Sequence, residues 1–270
     1  MKTFIDQLIV AGIEESEAKK EISMLLSEFG ENNSEKIKSI VHERIKTRTP
    51  IQYLIGKAYF MDFEVKVNNK VLIPRPETEI LVEKMVCRGV ARNASTALDI
   101  GTGSGIIPIA LARLMPDIKI TAIDIDKEII DLASENAKLN KVEKKIDFKV
   151  CDLFSNSFEE LLKNQKFDLI ISNPPYIKEN ISEKQPEVTH EPVIALHGSK
   201  ENKSGLIYYE RIFELVKKCQ SIKLLAFEID PSLVNNLKSL LKKENLNNFE
   251  IVKDYSGLER CLFVYIPFVG

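Results

Sequence analysis

Up to about residue 56 the apolar residues recur at helical spacing. Ala18, Ile22, Leu25, Leu26 and Phe29 mark one face, and Ile37, Ile40, Val41 and Ile45 mark another. Gly30 closes the first stretch and Ser34 is placed to cap the second. The period then changes. Phe63, Val65 and Val67 alternate with polar residues, Asn68-Asn69 supplies a turn tolerant of left-handed dihedrals, and Val71 and Ile73 resume the alternation. The pattern predicts a small helical domain over residues 1–56 and a hairpin linker over 57–76.

From about residue 95 apolar runs and helical stretches take turns. The runs are TALDI (96–100), IKITAI (118–123), IDFKVC (146–151), FDLIIS (167–172) and KLLAFEI (223–229). Strands alternating with helices predict a parallel sheet covered on both faces. The last two runs, FEIVKDY (249–255) and RCLFVYIPF (260–268), are joined by a short turn around Gly257, which predicts an antiparallel hairpin at the sheet edge. The expected fold is therefore α/β with seven strands in a domain over 77–270.

Composition narrows the function classes. With 44% hydrophobic and 29% charged residues in 270, the chain reads as a soluble globular protein, and no apolar run approaches the roughly 20 residues that a membrane helix needs. The amino-terminal residues lack the unbroken apolar core of a signal peptide, so a cytoplasmic protein is expected. A net charge of −2 argues against bulk duplex nucleic acid as the main partner, because phosphate neutralisation needs an excess of Lys and Arg. Cys87, Cys151, Cys219 and Cys261 are far apart, with no C-x-x-C pair, so neither a structural zinc nor a disulfide is expected. A monomer is the default, since no apolar stripe is surplus to the core.

Ligands of such sheets sit at the carboxyl ends of the strands. These ends read Asp99 to Gly105, Asp124, Cys151-Asp152, and Asn173 to Tyr176. In DIGTGSG the residues Gly101, Thr102, Gly103, Ser104 and Gly105 follow a strand and open a helix, where glycines let the backbone approach a ligand closely. The dinucleotide fingerprint wants a Gly or Ala where this chain has Ile106, which weakens NAD binding. Asp124 ends the second strand, where a carboxylate can accept hydrogen bonds from both ribose hydroxyls. Asp152 ends the third, within reach of an exocyclic adenine amine. Taken singly, the glycine turn reads as a tight connection and each Asp as a helix cap. Together they favour an adenosine-containing cofactor.

FDLIISNPPY ends a buried strand with one amide, two residues lacking N–H groups and a phenol. Pro174 holds Asn173 extended, and neither Pro174 nor Pro175 offers a backbone donor, so the turn presents acceptors. A planar amide or exocyclic amine is a poor nucleophile because its lone pair is delocalised. Accepting both of its hydrogens, through the Asn173 side-chain oxygen and the Pro174 carbonyl, localises that pair. Tyr176 is placed to stack on the planar group, adding orientation. Neither a metal nor a covalent intermediate is required.

DIGTGSG followed by NPPY resembles the S-adenosylmethionine-dependent amino methyltransferases. RTPIQYLIGKAYF (48–60) and VLIPRPETEILVE (71–83) further resemble the HemK/PrmC family, protein glutamine methyltransferases that modify the Gly-Gly-Gln loop of class-1 peptide chain release factors. The resemblance spans nearly the whole chain. It implies a Rossmann-like S-adenosylmethionine-dependent catalytic domain, and an amino-terminal domain that helps hold the release factor. It also implies that Gly101 to Gly105 bind the methionine portion of the cofactor, Asp124 its ribose, and Asp152 with Leu153 its adenine. Asn173 and Pro174 would hold the glutamine amide, with Pro175 and Tyr176 beside it. S-adenosylhomocysteine would be the product.

The PRPET segment would lie near the site, with no chemical role assigned to Arg75 or Glu77; Pro74 and Pro76 shaping the linker and Thr78 capping a helix is an equal reading. Two departures stand out: HGSKENKSGL (197–206) where the family carries a glycine-rich loop, and Asp230-Pro231 where it carries a Gly-containing turn. His197 is not expected to be catalytic. Two other readings remain: an exocyclic-amine methyltransferase of nucleic acid, which needs a flipped base and a basic channel, and a non-enzymatic binding module that retains the pocket.

Overall fold

A computed structural model of the chain describes residues 2–175, 192, 204–217 and 219–267. Four helices come first: α1 (Lys2–Val10), α2 (Glu15–Phe29), α3 (Ser34–Thr47) and α4 (Ile51–Ile55). Leu8, Ala18, Ile22, Leu25, Ile37, Val41 and Ile51 belong to their shared core, so the two faces expected from the sequence meet each other. A buried ion pair joins them, with Arg44 Nε donating to Glu21 Oε1 at 2.9 Å. Gly30, at φ 73°, ends α2 with its N–H on the Leu26 carbonyl. Ser34 does not cap α3. It is the first helical residue, and Asn33 in the cap position turns its amide back onto the Phe29 carbonyl at 2.5 Å.

The linker hairpin is present but displaced from its expected place. Strands β1 (Lys57–Phe60) and β2 (Phe63–Lys66) pair antiparallel around Met61-Asp62, not around Asn68-Asn69. Met61 takes φ 51°, and its N–H donates to Glu79 Oε1 at 2.6 Å. Val71 and Ile73 are buried as the alternation implied, yet they form no strand. The free edge of β2 is already occupied by side chains of a later helix: Asn136 accepts from Lys66 N at 2.7 Å and donates to Lys66 O at 2.9 Å, while Asn140 donates to Glu64 O. Alternation reports burial, and here burial comes without pairing.

The remainder is a seven-stranded sheet in the order β5-β4-β3-β6-β7-β9-β8. Its strands are β3 (Thr96–Ile100), β4 (Lys119–Asp124), β5 (Ile146–Val150), β6 (Leu169–Ser172), β7 (Leu224–Glu228), β8 (Phe249–Lys253) and β9 (Glu259–Tyr265). All neighbours are parallel except β9, which runs antiparallel to both β7 and β8. Successive residues enter opposite cores: Leu224 and Ala226 pack with α5 (Pro76–Val86), α7 (Ile106–Leu114) and α8 (Lys127–Leu139), whereas Leu225 and Phe227 pack with α9 (Asn156–Asn164), α10 (Ile207–Val216) and α11 (Val234–Lys243). A short helix, α6 (Gly89–Arg92), precedes β3. Both faces being covered explains why these strands read as unbroken apolar runs.

From β3 the chain winds outward through β4 to β5, then returns to lay β6 on the other side of β3. The crevice at the carboxyl ends of β3 and β6 is therefore the topological switch point, where such sheets bind ligands. Among the described residues no helix is long and apolar enough to cross a membrane.

Candidate active site

The strand registers gather the candidate residues. Ile100 pairs with Ile123 and with Ser172, and Asp124 pairs with Val150. The residues immediately beyond, Gly101, Asn173 and Cys151-Asp152, thus leave the sheet side by side with Asp124. They border a cavity of about 340 Å³, within the range of small-molecule sites. Gly101 to Ser104, Asp124, Asp152, Leu153 and Asn173 to Pro175 line it from the sheet side, and Val71 to Arg75 from the linker. Gly105 does not line it, and Tyr176 and His197 lie outside the described residues.

The glycine-rich turn is held by β4. Gly101 and Thr102 both donate their N–H to the Ile123 carbonyl at 2.9 Å, and Gly103 N–H donates to Asp124 Oδ2 at 3.1 Å. The other oxygen of Asp124 accepts from Ile125 N at 2.8 Å. Burial raises the Asp124 carboxyl above its ordinary range, opposed by these backbone donors. Gly105 starts α7 at φ 82°, and a Cβ there would meet Ala133 Cβ of α8 at 3.1 Å. Asn136 ties the turn to the hairpin, donating to Ser104 O at 2.9 Å while it holds Lys66. At the end of β5, Asp152 accepts from Phe154 N at 2.8 Å, and Leu153 is buried beneath it.

Three side chains escaped the reading of the sequence. Asp99 was met only as part of a strand end, and it is fully buried. Its two carboxylate oxygens and the Thr102 hydroxyl have no hydrogen-bond partner among the described residues. Burial pushes its carboxyl up to about 7, with the nearby Thr102 hydroxyl tempering the shift and the Asp124 charge adding to it. Thr78, expected as a helix cap, lies inside α5, which begins at Pro76 with Arg75 in the cap position. It is 1% exposed and donates its hydroxyl to Glu228 Oε2 at 2.6 Å. Glu228 ends β7 at 2% exposure. Asn173 Nδ2 in turn donates to Thr78 Oγ1 at 3.3 Å. The available signal was a carboxylate inside an apolar strand, in TALDI and in LLAFEI, since such residues are seldom buried without a task.

Comparison with known proteins bears on this arrangement. Residues 76–195 match the family model described as methyltransferase small domain. The chain is 37% identical over 233 residues to a release factor glutamine methyltransferase of Thermodesulfovibrio yellowstonii, an alignment covering 84% of this chain and 80% of that one. A protein of the same name from Dictyoglomus turgidum is 39% identical over 236 residues, 85% of this chain and 80% of its own. One from Streptococcus pneumoniae is 44% identical over 176 residues, 64% and 59% of the two chains. Among solved structures, the N-terminal domain of human METTL16 in complex with SAH shares a TM-score of 0.53 at 16% identity, covering 84% of this chain and 83% of that one. The hMettl16 catalytic domain in complex with a MAT2A 3'UTR hairpin gives 0.58 at 15% identity, with 84% and 81% covered. At that identity the likeness is one of fold.

Proposed function

Because this chain belongs to the release factor glutamine methyltransferase family, we propose that it transfers a methyl group from S-adenosylmethionine to the side-chain amide nitrogen of a release-factor glutamine, the one in the Gly-Gly-Gln loop of class-1 factors. The observation that carries this reading is Asn173. It stands at the end of β6 on the rim of the cavity, with its Nδ2 engaged by Thr78 and two prolines behind it.

The residues present fit the cofactor. Asp99, fully buried in β3 just before the glycine-rich turn with both oxygens unpartnered among the described residues, suits a nearby ligand with a cationic ammonium group. Asp124 accepts from Gly103 N on Oδ2 and from Ile125 N and, at 3.4 Å, Asp126 N on Oδ1, which leaves acceptor capacity for the ribose hydroxyls chiefly on Oδ2. Asp152 and Leu153 would meet the adenine, and Gly101 to Ser104 the methionine portion, with Gly105 set back from the cavity. When bound, the cofactor supplies an electrophilic methyl group on a sulfonium.

The chain's own residues prepare the acceptor. Asn173 Oδ1 and the Pro174 carbonyl accept the two hydrogens of the glutamine amide, which draws its nitrogen lone pair out of conjugation. Pro175 adds no competing donor, and Tyr176, the next residue in the sequence, is assigned the role of a ring for the amide plane. Orientation and preorganised acceptors supply the rate enhancement. After transfer the nitrogen is acidic and its proton passes to water, so no general base is assigned. Residues 1–56 serve to dock the release factor, with 57–76 as the linker to the catalytic domain at 77–270. The reading calls for a protein partner in the cytoplasm, and for neither nucleic acid nor a second copy of the chain.

The test is transfer of labelled methyl from S-adenosylmethionine to a purified class-1 release factor by wild-type protein and by Asn173→Ala, with DNA and ribosomal RNA as parallel acceptors. Label on the loop glutamine that is lost in the mutant is expected. Label on nucleic acid alone would overturn the choice of substrate.

A further inference from the structure

We propose that Thr78 and Glu228 are positioning residues that fix which way round Asn173 presents its carboxamide to the substrate. This rests on the role given to Asn173 above. An asparagine amide is nearly symmetric in shape but opposite in chemistry at its two ends, one an acceptor and the other a double donor. Only the orientation with Oδ1 toward the cavity can accept an amide hydrogen from glutamine. The opposite one would set two NH2 groups against each other.

The choice is made by proton count. With Glu228 ionised, its carboxylate has no proton to give, so the 2.6 Å contact takes the single hydroxyl proton of Thr78. Toward Asn173 the hydroxyl then has only lone pairs. It accepts Nδ2–H at 3.3 Å and would repel Oδ1, so the carbonyl end is directed away from Thr78. Both Thr78 and Asn173 border the cavity. Fold topology brings the three together: Ser172 of β6 pairs with Phe227 of β7, and Asn173 and Glu228 are the next residues on each. Thr78 reaches them from the first turn of α5. The main chain at Glu228 is itself clamped, its carbonyl accepting from the fully buried Tyr209 hydroxyl at 2.8 Å. Burial holds that phenol's pKa well above its ordinary value, so it stays a donor.

Steady-state methyl transfer to the release factor, with cofactor affinity by calorimetry, separates positioning from general damage. Thr78→Val keeps shape and removes the hydroxyl. Its kcat should fall by about tenfold, the scale of one lost hydrogen-bond preference, with KM for the release factor and cofactor Kd changed by less than about twofold. Thr78→Ser restores the hydroxyl and should recover kcat to within about threefold of wild type. Glu228→Gln can donate as well as accept, so the bias is weakened, and kcat should drop by about threefold or more. The inference is overturned by a wild-type kcat in both Thr78→Val and Glu228→Gln, by failure of Thr78→Ser to recover, or by a cofactor Kd that shifts as much as kcat. Should Thr78→Val not fold, Glu228→Gln and Thr78→Ser decide. Asn173→Ala, run alongside, isolates the two levels. An inactive Asn173→Ala beside fully active Thr78→Val and Glu228→Gln sinks only the positioning role, whereas an active Asn173→Ala sinks the role of Asn173 itself.

Discussion

Gly103 and Gly105 sit two residues apart in one turn, yet alanine should fail at them for different reasons. At Gly105 the backbone holds φ 82°, and an added Cβ would stand 3.1 Å from Ala133 Cβ and 3.3 Å from Ala133 Cα. A left-handed conformation costs an L-residue about 1–2 kcal/mol. The contact is with the Cβ and backbone of a helical alanine, which has no rotamer to yield, so relief requires moving α8 or the turn, at about 1–2 kcal/mol more. Gly105→Ala should therefore lose about 2–4 kcal/mol of stability. At Gly103, φ is 54° and a Cβ meets no atom within 4 Å. Only the conformational term applies, about 1 kcal/mol. Gly103 lines the cavity, however, so the added methyl lies where the backbone is expected to approach the cofactor.

Urea unfolding followed by far-UV circular dichroism measures the first quantity, since the chain has no Trp to report by fluorescence. Calorimetric titration with S-adenosylmethionine measures the second. The expected pattern crosses: Gly105→Ala is the less stable variant, and Gly103→Ala loses at least about tenfold in affinity while keeping most of its stability. Equal stability of the two variants would refute the packing argument. Wild-type affinity in Gly103→Ala would refute the assignment of the turn to the cofactor.

Two further expectations concern pH. Asp99 holds its proton in the folded chain up to about pH 7 but loses it near pH 4 when unfolded, so its buried carboxyl makes stability fall as pH rises through that window. Asp99→Asn should accordingly gain in thermal midpoint relative to wild type between pH 5 and pH 8 without cofactor, while binding S-adenosylmethionine more weakly; an equal gap at both pH values would contradict it. Asp168 behaves in the opposite sense. Burial raises its carboxyl, but the Lys223 ammonium at 2.6 Å and donors from Ser95 and Thr96 override this and bring it down to about 2. It contributes about 2 kcal/mol that is present above about pH 4 and lost as pH falls toward 2. The difference in unfolding free energy between wild type and Asp168→Asn should shrink over that range, and a difference unchanged from pH 6 to pH 3 would rule the pairing out as its source.

What the sequence disclosed and what it concealed divide by the range of the interaction. The parallel strands were legible because burial on both faces writes a local signal. Leu169 to Ser172 is apolar up to Ser172, and the carboxyl end follows at once. Asn173 was legible because the two prolines after it change the hydrogen-bonding capacity of its immediate neighbours. The hairpin was only half legible. Phe63 and Val65 told of a strand, but its partner was decided by Glu79 at one end and by Asn136 on its edge, 18 residues from Met61 and 70 from Lys66. Helix α1 went unread, since its apolar residues Phe4, Ile5 and Leu8 become a face only when α2 and α3 supply the rest of the core.

The same reasoning explains why the PRPET segment gave up no chemistry on inspection. Thr78 bonds across 95 residues to Asn173 and across 150 to Glu228, and its neighbour Glu79 reaches back to Met61. Nothing in the spacing of Thr and Glu distinguishes this from a capped helix start. Its meaning arises only once β6 and β7 are adjacent and in register, which sets Asn173 beside Glu228. The first turn of α5 then joins the linker hairpin on one side to Asn173 and the rim of the cavity on the other. A substitution in that turn should thus register in kcat before it registers in the fold, which is why the conservative Thr78→Ser and Glu228→Gln changes are more informative than any deletion of the segment.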